Sequence, residues 1–269
     1  NTIEKLLGNQ DLSQDEAHNV MLQIMSGEFD DAQISGFLIA LRAKGEKSSE
    51  IAGFSQAMRD KMTPVPITTS AMDMCGTGGD ASGTFNISTA ASFVVAGAGV
   101  NVAKHGNRSM SSRSGSADVL EALEVDITHP PEKVAEQIEE FGLGFMFAPS
   151  LHPAMKFAIG VRKSLAVRTV FNILGPLCNP AGVKRQVIGV FDGSITDRIA
   201  KVLKKLGSEE AYIVHGHDGM DEISTTSSTK ISHLTENGDI ESTVFSPSDY
   251  GFTTCTFDDL KGGDPVDNA

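Results

Sequence analysis

Cysteine is scarce in this chain of 269 residues, with three at positions 75, 178 and 255. They are odd in number and form no Cys-x-x-Cys pair, which argues against a disulfide framework and for a reducing compartment. No cysteine and histidine cluster completes a zinc set. Basic residues are also short: 22 Lys and Arg face 35 Asp and Glu, a formal net charge of -13. A nucleic-acid binder carries a broad basic surface, so this balance speaks against one. Long apolar runs are missing too. The longest, Ala90 to Val100, falls far short of the ~20 residues a membrane span needs. No signal peptide is visible, although the first residue is Asn1 rather than Met. The expected location is the cytoplasm. A Walker A loop is absent, and there is no internal repeat or low-complexity tract.

What is present is the composition of a globular protein, 40% apolar, long enough for one large domain with a smaller companion. Residues 1–62 read as helices. Ser13-Gln-Asp-Glu16 is a capping box, in which the two side chains satisfy free N–H groups reciprocally. Ala17, Val20, Met21, Ile24 and Met25 follow at helical spacing. Ile34, Phe37, Leu38 and Leu41 make a second apolar face, and Ile51, Phe54, Met58 and Met62 a third. The methionines at this spacing read as core or helix–helix interface. Thr63-Pro-Val-Pro66 breaks the pattern and marks a domain boundary. Beyond it the spacing predicts strands at 71–75, 99–104, 144–148, 187–191 and 211–215, and helices at 87–97, 116–123, 131–141, 151–165 and 194–206. The hydroxyl-rich run Ile223 to Ser232 reads as a loop. The expected fold is α/β: a small N-terminal all-helical domain (1–66, joined by part of 160–185) and a large domain (67–269) with a central, largely parallel sheet flanked by helices.

The richest stretch is Cys75-Gly-Thr-Gly-Gly-Asp80 followed by Asn86-Ile-Ser-Thr89. Gly76, Gly78 and Gly79 let the backbone bend sharply and approach a ligand. A helix starting at Asn86 presents free amides and a positive dipole end, a site for phosphate or diphosphate. Gly76-x-Gly78-x-x-Ala81 formally fits the dinucleotide fingerprint. Ser82-Gly83-Thr84 prolongs the loop, however, and the next strand carries Asn101 and Lys104 rather than a ribose-binding acid, so that reading fails. A second loop, Lys104 to Ser116, holds Lys104, His105, Arg108, Arg113 and five serines without one acid. Its hydroxyls, amides and cations suit phosphate oxygens. It enters a helix with Asp118 in the first turn. Two such loops imply a ligand with two phosphate groups, or a phosphate and a diphosphate, beyond the C-terminal strand ends.

Asp221 and Glu222 are adjacent carboxylates after the strand Ala211 to Val214. Such hard oxygens suit Mg²⁺, and two adjacent acids equally suit an exposed turn. His215 and His217 read as structural or supporting residues. Arg162 and Arg168 suit a bidentate grip on a carboxylate, or salt bridges along a helix surface.

Together these segments resemble anthranilate phosphoribosyltransferase. The resemblance rests on Gly76-Thr-Gly-Gly-Asp80, Asn86-Ile-Ser-Thr89, Lys104-His-Gly-Asn107 with the serines to Ser116, Arg162, Asn172 to Pro180, and Asp221-Glu222. Gly27-Glu28, Ala32-Gln33-Ile34 and Leu41 to Gly45 extend it through the helical start, so that it covers essentially the whole chain. It implies transfer of phosphoribosyl from 5-phosphoribosyl 1-diphosphate (PRPP) to the amine of anthranilate, by a homodimer joined through the helical domain. By this resemblance Gly76, Gly79, Asp80, Thr84, Asn86, Ile87, Ser88 and Thr89 contact PRPP. Lys104, His105, Gly106, Asn107, Arg108, Ser109, Met110, Ser111, Ser112 and Ser116 add to those contacts. Gly76, His105, Asn107 and Arg162 are the anthranilate contacts it implies, and Ser88, Asp221 and Glu222 the ligands of Mg²⁺, two ions per subunit. It implies no catalytic base and no covalent nucleophile. Glu124 stands where the family commonly has glycine, and family members usually continue past Gly262-Gly263-Asp264 into further helices. Two other readings of the same architecture are a pyrimidine nucleoside phosphorylase and a non-enzymatic nucleic-acid-binding paralogue.

Overall fold

The computed structural model describes residues 2–80, 82–109 and 113–269. Four helices open the chain: α1 (Thr2–Leu7), α2 (Gln14–Met25), α3 (Asp31–Lys44) and α4 (Ser48–Lys61). The capping box at Ser13 and Glu16 is formed, and Asp30 with Gln33 makes a second one at the start of α3. α2 and α4 cross closely because Gly53 has no side chain; a Cβ there would sit 2.8 Å from the Ala17 Cβ. Phe37 and Phe54 meet edge to face at 5.8 Å. Val20, Met21, Ile24 and Met25 are all buried, as core rather than surface. The same apolar cluster takes in Ala158, Val161, Phe171 and Leu174 from later in the chain.

The remainder forms a seven-stranded sheet: β1 (Met72–Gly76), β2 (Val102–Gly106), β3 (Leu143–Phe147), β4 (Arg185–Gly189), β5 (Glu210–Gly216), β6 (Thr229–Leu234) and β7 (Ile240–Phe245). The order is β3-β2-β1-β4-β5-β6-β7. The first five positions are parallel and the last two antiparallel. The helices that follow the strands are α5 (Ile87–Gly97), α6 (Ser116–Ala122), α7 (Pro131–Phe141), α8 (Ala148–Leu151), α9 (Lys156–Leu165), α10 (Phe171–Leu174), α11 (Thr196–Lys205) and α12 (Pro265–Asn268).

Three expectations need correction. The helix expected over 151–165 is broken: α8 ends at Leu151, a 3₁₀ turn spans Pro153–Met155, and α9 follows. Pro153 lacks the N–H that would continue the helix. The strand expected from 99 begins only at Val102, because residues 98–101 turn through Gly99. The run 223–232 is a loop only to Ser228; Thr229 starts β6, which pairs with β7 across the Asn237-Gly238 turn. Among the described residues no helix is long and apolar enough to cross a membrane.

β1 lies at the centre. The chain leaves it for β2 and β3 on one side, then returns to lay β4 on the other. Loops leaving β1 and β4 therefore diverge and open a crevice at their C-terminal ends, where α/β sheets bind ligands.

Candidate active site

Two glycines bring the acidic pair to that crevice. A Cβ on Gly76, the last residue of β1, would lie 2.6 Å from Asp221 Oδ2. A Cβ on Gly189, the last residue of β4, would lie 2.5 Å from the Asp221 carbonyl carbon. Only bare backbone at both strand ends lets the loop after β5 lie across them. That loop folds around Asp218, whose carboxylate accepts from Ser224 Oγ at 2.5 Å, from Thr226 Oγ1 and from the Met220 amide at 3.3 Å. The hydroxyls that read as loop residues thus form an internal scaffold. It turns Asp221 back so that Oδ2 accepts the Gly78 amide at 2.8 Å. Gly78 and Gly79 have φ of 66° and 78°, the left-handed region that favours glycine. Thr77 ties the loop to β4: its amide donates to the Gly189 carbonyl at 2.9 Å, and its hydroxyl accepts from the Phe191 amide at 3.0 Å.

Burial pushes Asp221 up to about 6, reinforced by the nearby Asp80. Burial likewise pushes Glu222 up to about 8, reinforced by Asp221 and opposed by Lys104. Lys104, 2% exposed, donates from Nζ to the Met74 carbonyl at 2.7 Å and to Ser88 Oγ at 3.2 Å. Lys104 faces Asp73 and Glu222, and Asp221 and Asp80 add further acid beside Glu222, an excess of negative charge that a divalent ion would neutralise. The donors are hard oxygens, as Mg²⁺ prefers. Among the described residues no group of three or more His, Cys, Asp and Glu forms a complete cage. That fits an ion whose shell is finished by substrate phosphates and water.

The first turn of α5 corrects a further expectation. Its amides are partly spent: Ile87 N–H donates to the Phe85 carbonyl at 2.8 Å and Thr89 N–H to the Asn86 carbonyl at 3.0 Å, while the Ser88 amide faces Glu222 and holds its carboxyl below what burial alone would give. The anion that the helix end meets within the protein is Glu222. Asn86 sits at the N-cap without capping, its side chain turned to neighbouring segments. The Thr89 hydroxyl is buried and has no hydrogen-bond partner among the described residues.

The second loop closes on itself through Asp118, which accepts from the Ser109 and Gly115 amides at 3.0 and 2.9 Å. A Cβ on Gly115 would lie 2.6 Å from the Arg108 carbonyl carbon. Arg108, expected among the PRPP contacts, instead pairs with Asp118 at 3.1 Å and with Glu121, over the Phe147 ring. Its cation is committed because these two acids lie on the adjoining helix face. Asn107 is exposed at the end of β2, and Ser116 opens α6. Gly106 packs its bare Cα against Phe145. Met110, Ser111 and Ser112 lie outside the described residues. His105, expected near both substrates, turns its ring inward, with Nε2 3.2 Å from that of His152. Burial lowers the two histidines to about 3 and about 4, so both are neutral. Below them the buried Asp73 accepts from the His105 amide at 3.1 Å and from Asn179 Nδ2 at 2.8 Å.

Among the described residues neither arginine makes a helix-surface salt bridge. Arg162, in the last turn of α9, is half-buried over the Phe171 ring and makes no ion pair among the described residues. Arg168 stacks on Phe191 at 4.1 Å and donates to the Gly79 carbonyl, while Arg42 of α3 donates to the Arg168 carbonyl. Thr84 pairs with Lys261 in a strap from the end of the chain. Gly189, Thr77, Asp73 and Asp218 escaped the sequence reading. Gly189, Thr77 and Asp73 act through long-range contacts and Asp218 through the hydroxyls of its own loop, and a lone glycine or acid announces no partner.

Residues 68–269 match the glycosyl transferase family, a/b domain, and residues 1–62 the glycosyl transferase family, helical bundle domain. An anthranilate phosphoribosyltransferase from Geotalea daltonii is 50% identical over 282 residues, covering 99% of this chain and 80% of the relative. The one from Moorella thermoacetica is 52% identical over 270 residues, covering 99% and 79%. The chain belongs to the anthranilate phosphoribosyltransferase family. The crystal structure of the Thermus thermophilus anthranilate phosphoribosyltransferase superposes with a TM-score of 0.92 at 42% identity, covering 99% of this chain and 79% of that one. The Saccharomyces cerevisiae anthranilate phosphoribosyltransferase in complex with PRPP and Mg gives 0.91 at 30% identity, covering 99% and 77%. These relatives do not favour the phosphorylase or the nucleic-acid-binding reading. Glu124, where the resemblance implies glycine, has φ of 61°, a left-handed backbone that favours glycine.

Proposed function

We propose that this chain transfers the phosphoribosyl group of PRPP to the amine of anthranilate, giving N-(5-phosphoribosyl)anthranilate and diphosphate, in tryptophan biosynthesis. The observation that carries the reading is the acid cluster of the buried Asp221 with Asp80 and Glu222 beside it, set against Lys104 and the glycine loop. It is a seat for a cation and a diphosphate together. The protein acts as a homodimer joined through the helical domain (1–66 with part of 160–185), in the cytoplasm, with two Mg²⁺ per subunit.

The reaction is a substitution at the anomeric carbon. As diphosphate leaves, the sugar gains positive and the leaving group negative charge. Asp221, Glu222 and Ser88 would hold the metal, which when bound neutralises the developing charge on diphosphate. Lys104 is fixed by Met74 and Ser88 and supplies a preorganised cation that costs no reorganisation during reaction. The loop 76–80 and the side chains at the first turn of α5, including the Thr89 hydroxyl, which has no partner among the described residues, bind phosphate oxygens. Arg162 holds the anthranilate carboxylate and aims the amine at the anomeric carbon, an orientational contribution. An aromatic amine is unprotonated at neutral pH, so no strong base is needed. Arg162→Ala should raise KM for anthranilate at least tenfold more than KM for PRPP, on the order of one charge-assisted hydrogen bond. Steady-state kinetics with each substrate varied measure this. Equal effects on both constants remove the carboxylate role.

A further inference from the structure

The side-chain amide of Asn86 is held in one orientation from two sides. On one side stands the strap at the chain end. The Gly263 N–H, a donor only, donates to Asn268 Oδ1 at 2.7 Å. Asn268 Nδ2 is therefore the atom that faces Asn86, and it donates to Asn86 Oδ1 at 3.0 Å. On the other side the Ser114 carbonyl, an acceptor only, takes Asn86 Nδ2 at 3.2 Å. Ser114 Oγ donates to Asn86 Oδ1 at the same distance. Both sides demand the same orientation. The strap is itself anchored to the first loop, with Gly262 N–H on the Gly83 carbonyl and Phe85 N–H on the Leu260 carbonyl, each at 2.9 Å.

An amide oxygen has two lone pairs and an amide nitrogen two hydrogens. Among the described residues Asn86 Oδ1 has spent both lone pairs, and Nδ2 has one hydrogen left. The residue therefore meets a ligand as a donor, the sense an anionic or hydroxyl-bearing ligand requires. Flipped, it would turn a carbonyl oxygen toward phosphate.

We infer that Asn268 is a positioning residue for the phosphorylated substrate: through its amide it fixes Asn86 as a hydrogen-bond donor at the phosphate cradle. This rests on the reading of the cradle as the PRPP site. Asn268→Ala should raise the Kd for PRPP with Mg²⁺, and KM for PRPP, about tenfold, the scale of one lost hydrogen bond to a charged group. kcat and KM for anthranilate should stay within about twofold. Asn268→Asp keeps the acceptor for Gly263, and so the fold of the strap, but sets a carboxylate against Asn86 Oδ1; it should weaken PRPP at least as much. In an Asn86→Ala background, Asn268→Ala should add nothing, because the residue it orients is gone. Calorimetric titration of the intact protein with PRPP and Mg²⁺ reads all four. Wild-type affinity in both Asn268 variants overturns the inference, as does an undiminished Asn268→Ala effect in the Asn86→Ala background, which marks a purely structural role. Failure of the unmutated protein to bind PRPP overturns instead the substrate reading on which the inference stands.

Discussion

Replacing Gly189 by alanine sets a methyl carbon 2.5 Å from the Asp221 carbonyl carbon, with the Asp221 oxygen closer still. Non-bonded carbons rest about 3.5–4.0 Å apart, so the Asp221 backbone must retreat by at least about 1 Å. No rotamer change relieves this clash, because the obstructing atoms are main chain. The retreat breaks the 2.8 Å bond from the Gly78 amide to Asp221 and carries Glu222 away from Ser88 and Lys104. Misplacing reacting groups by 1 Å costs on the order of 100-fold, and overpacking costs about 1–3 kcal/mol of stability. Gly189→Ala should therefore lose at least about 100-fold in kcat/KM and need more Mg²⁺ for half-maximal activity, while remaining folded. Gly76→Ala should be milder, because its Cβ meets only the terminal Asp221 Oδ2 at 2.6 Å, and a carboxylate can swing aside. Loss of anthranilate fluorescence across a Mg²⁺ titration gives the activities, and thermal melts confirm folding. Wild-type activity in Gly189→Ala, or a larger loss in Gly76→Ala, refutes the reasoning.

Asp221→Asn combined with Glu222→Gln should raise the Mg²⁺ concentration for half-maximal activity by at least tenfold, on the order of one lost charged ligand contact; an unchanged metal titration removes the pair from the metal site. Glu124→Gly and Ala166→Gly should each stabilise the fold by about 1 kcal/mol, because φ of 61° and 50° is strained for residues with a Cβ. Urea unfolding measures this, and lowered midpoints would contradict it. His105 and His152 are depressed from the ordinary 6.5 to about 3 and about 4. The unfolded chain therefore takes up protons first, and the pair's contribution is full above about pH 6.5 and lost as pH falls toward 4. Replacing both by Gln should flatten the fall in urea midpoint over that window; an unaltered slope contradicts it.

The helical start, the five parallel strands and both phosphate loops were legible because each is local. A capping box, a 3.6-residue period or a glycine cluster lies within a dozen residues of chain. β6 was hidden by its hydroxyls, which suit a loop as readily as a half-exposed strand. Asn237-Gly238 was the turn signal that would have given its position. The site was legible in its residue types and not in their partners. Asp221 and Glu222 read as carboxylates after a strand, yet nothing nearby in sequence tells that Gly76 and Gly189 make room for them. Arg108 and the α5 amides read as free phosphate donors, and the fold pairs Arg108 with Asp118 and Glu121 and two of the amides with the Phe85 and Asn86 carbonyls. In both cases an acceptor of the same segment, or of the helix that follows it, competes for the donor once the chain has folded back. Arg162 shows the opposite case: among the described residues no acid reaches it, and its guanidinium lies against Phe171.

Crystals of the protein soaked with PRPP and Mg²⁺ give the most direct test. Density for the diphosphate should lie between the loop 76–80 and the first turn of α5, with a divalent ion against Asp221 and Glu222. Diphosphate density at any other place on the molecule, or an ion remote from both carboxylates, would contradict the site.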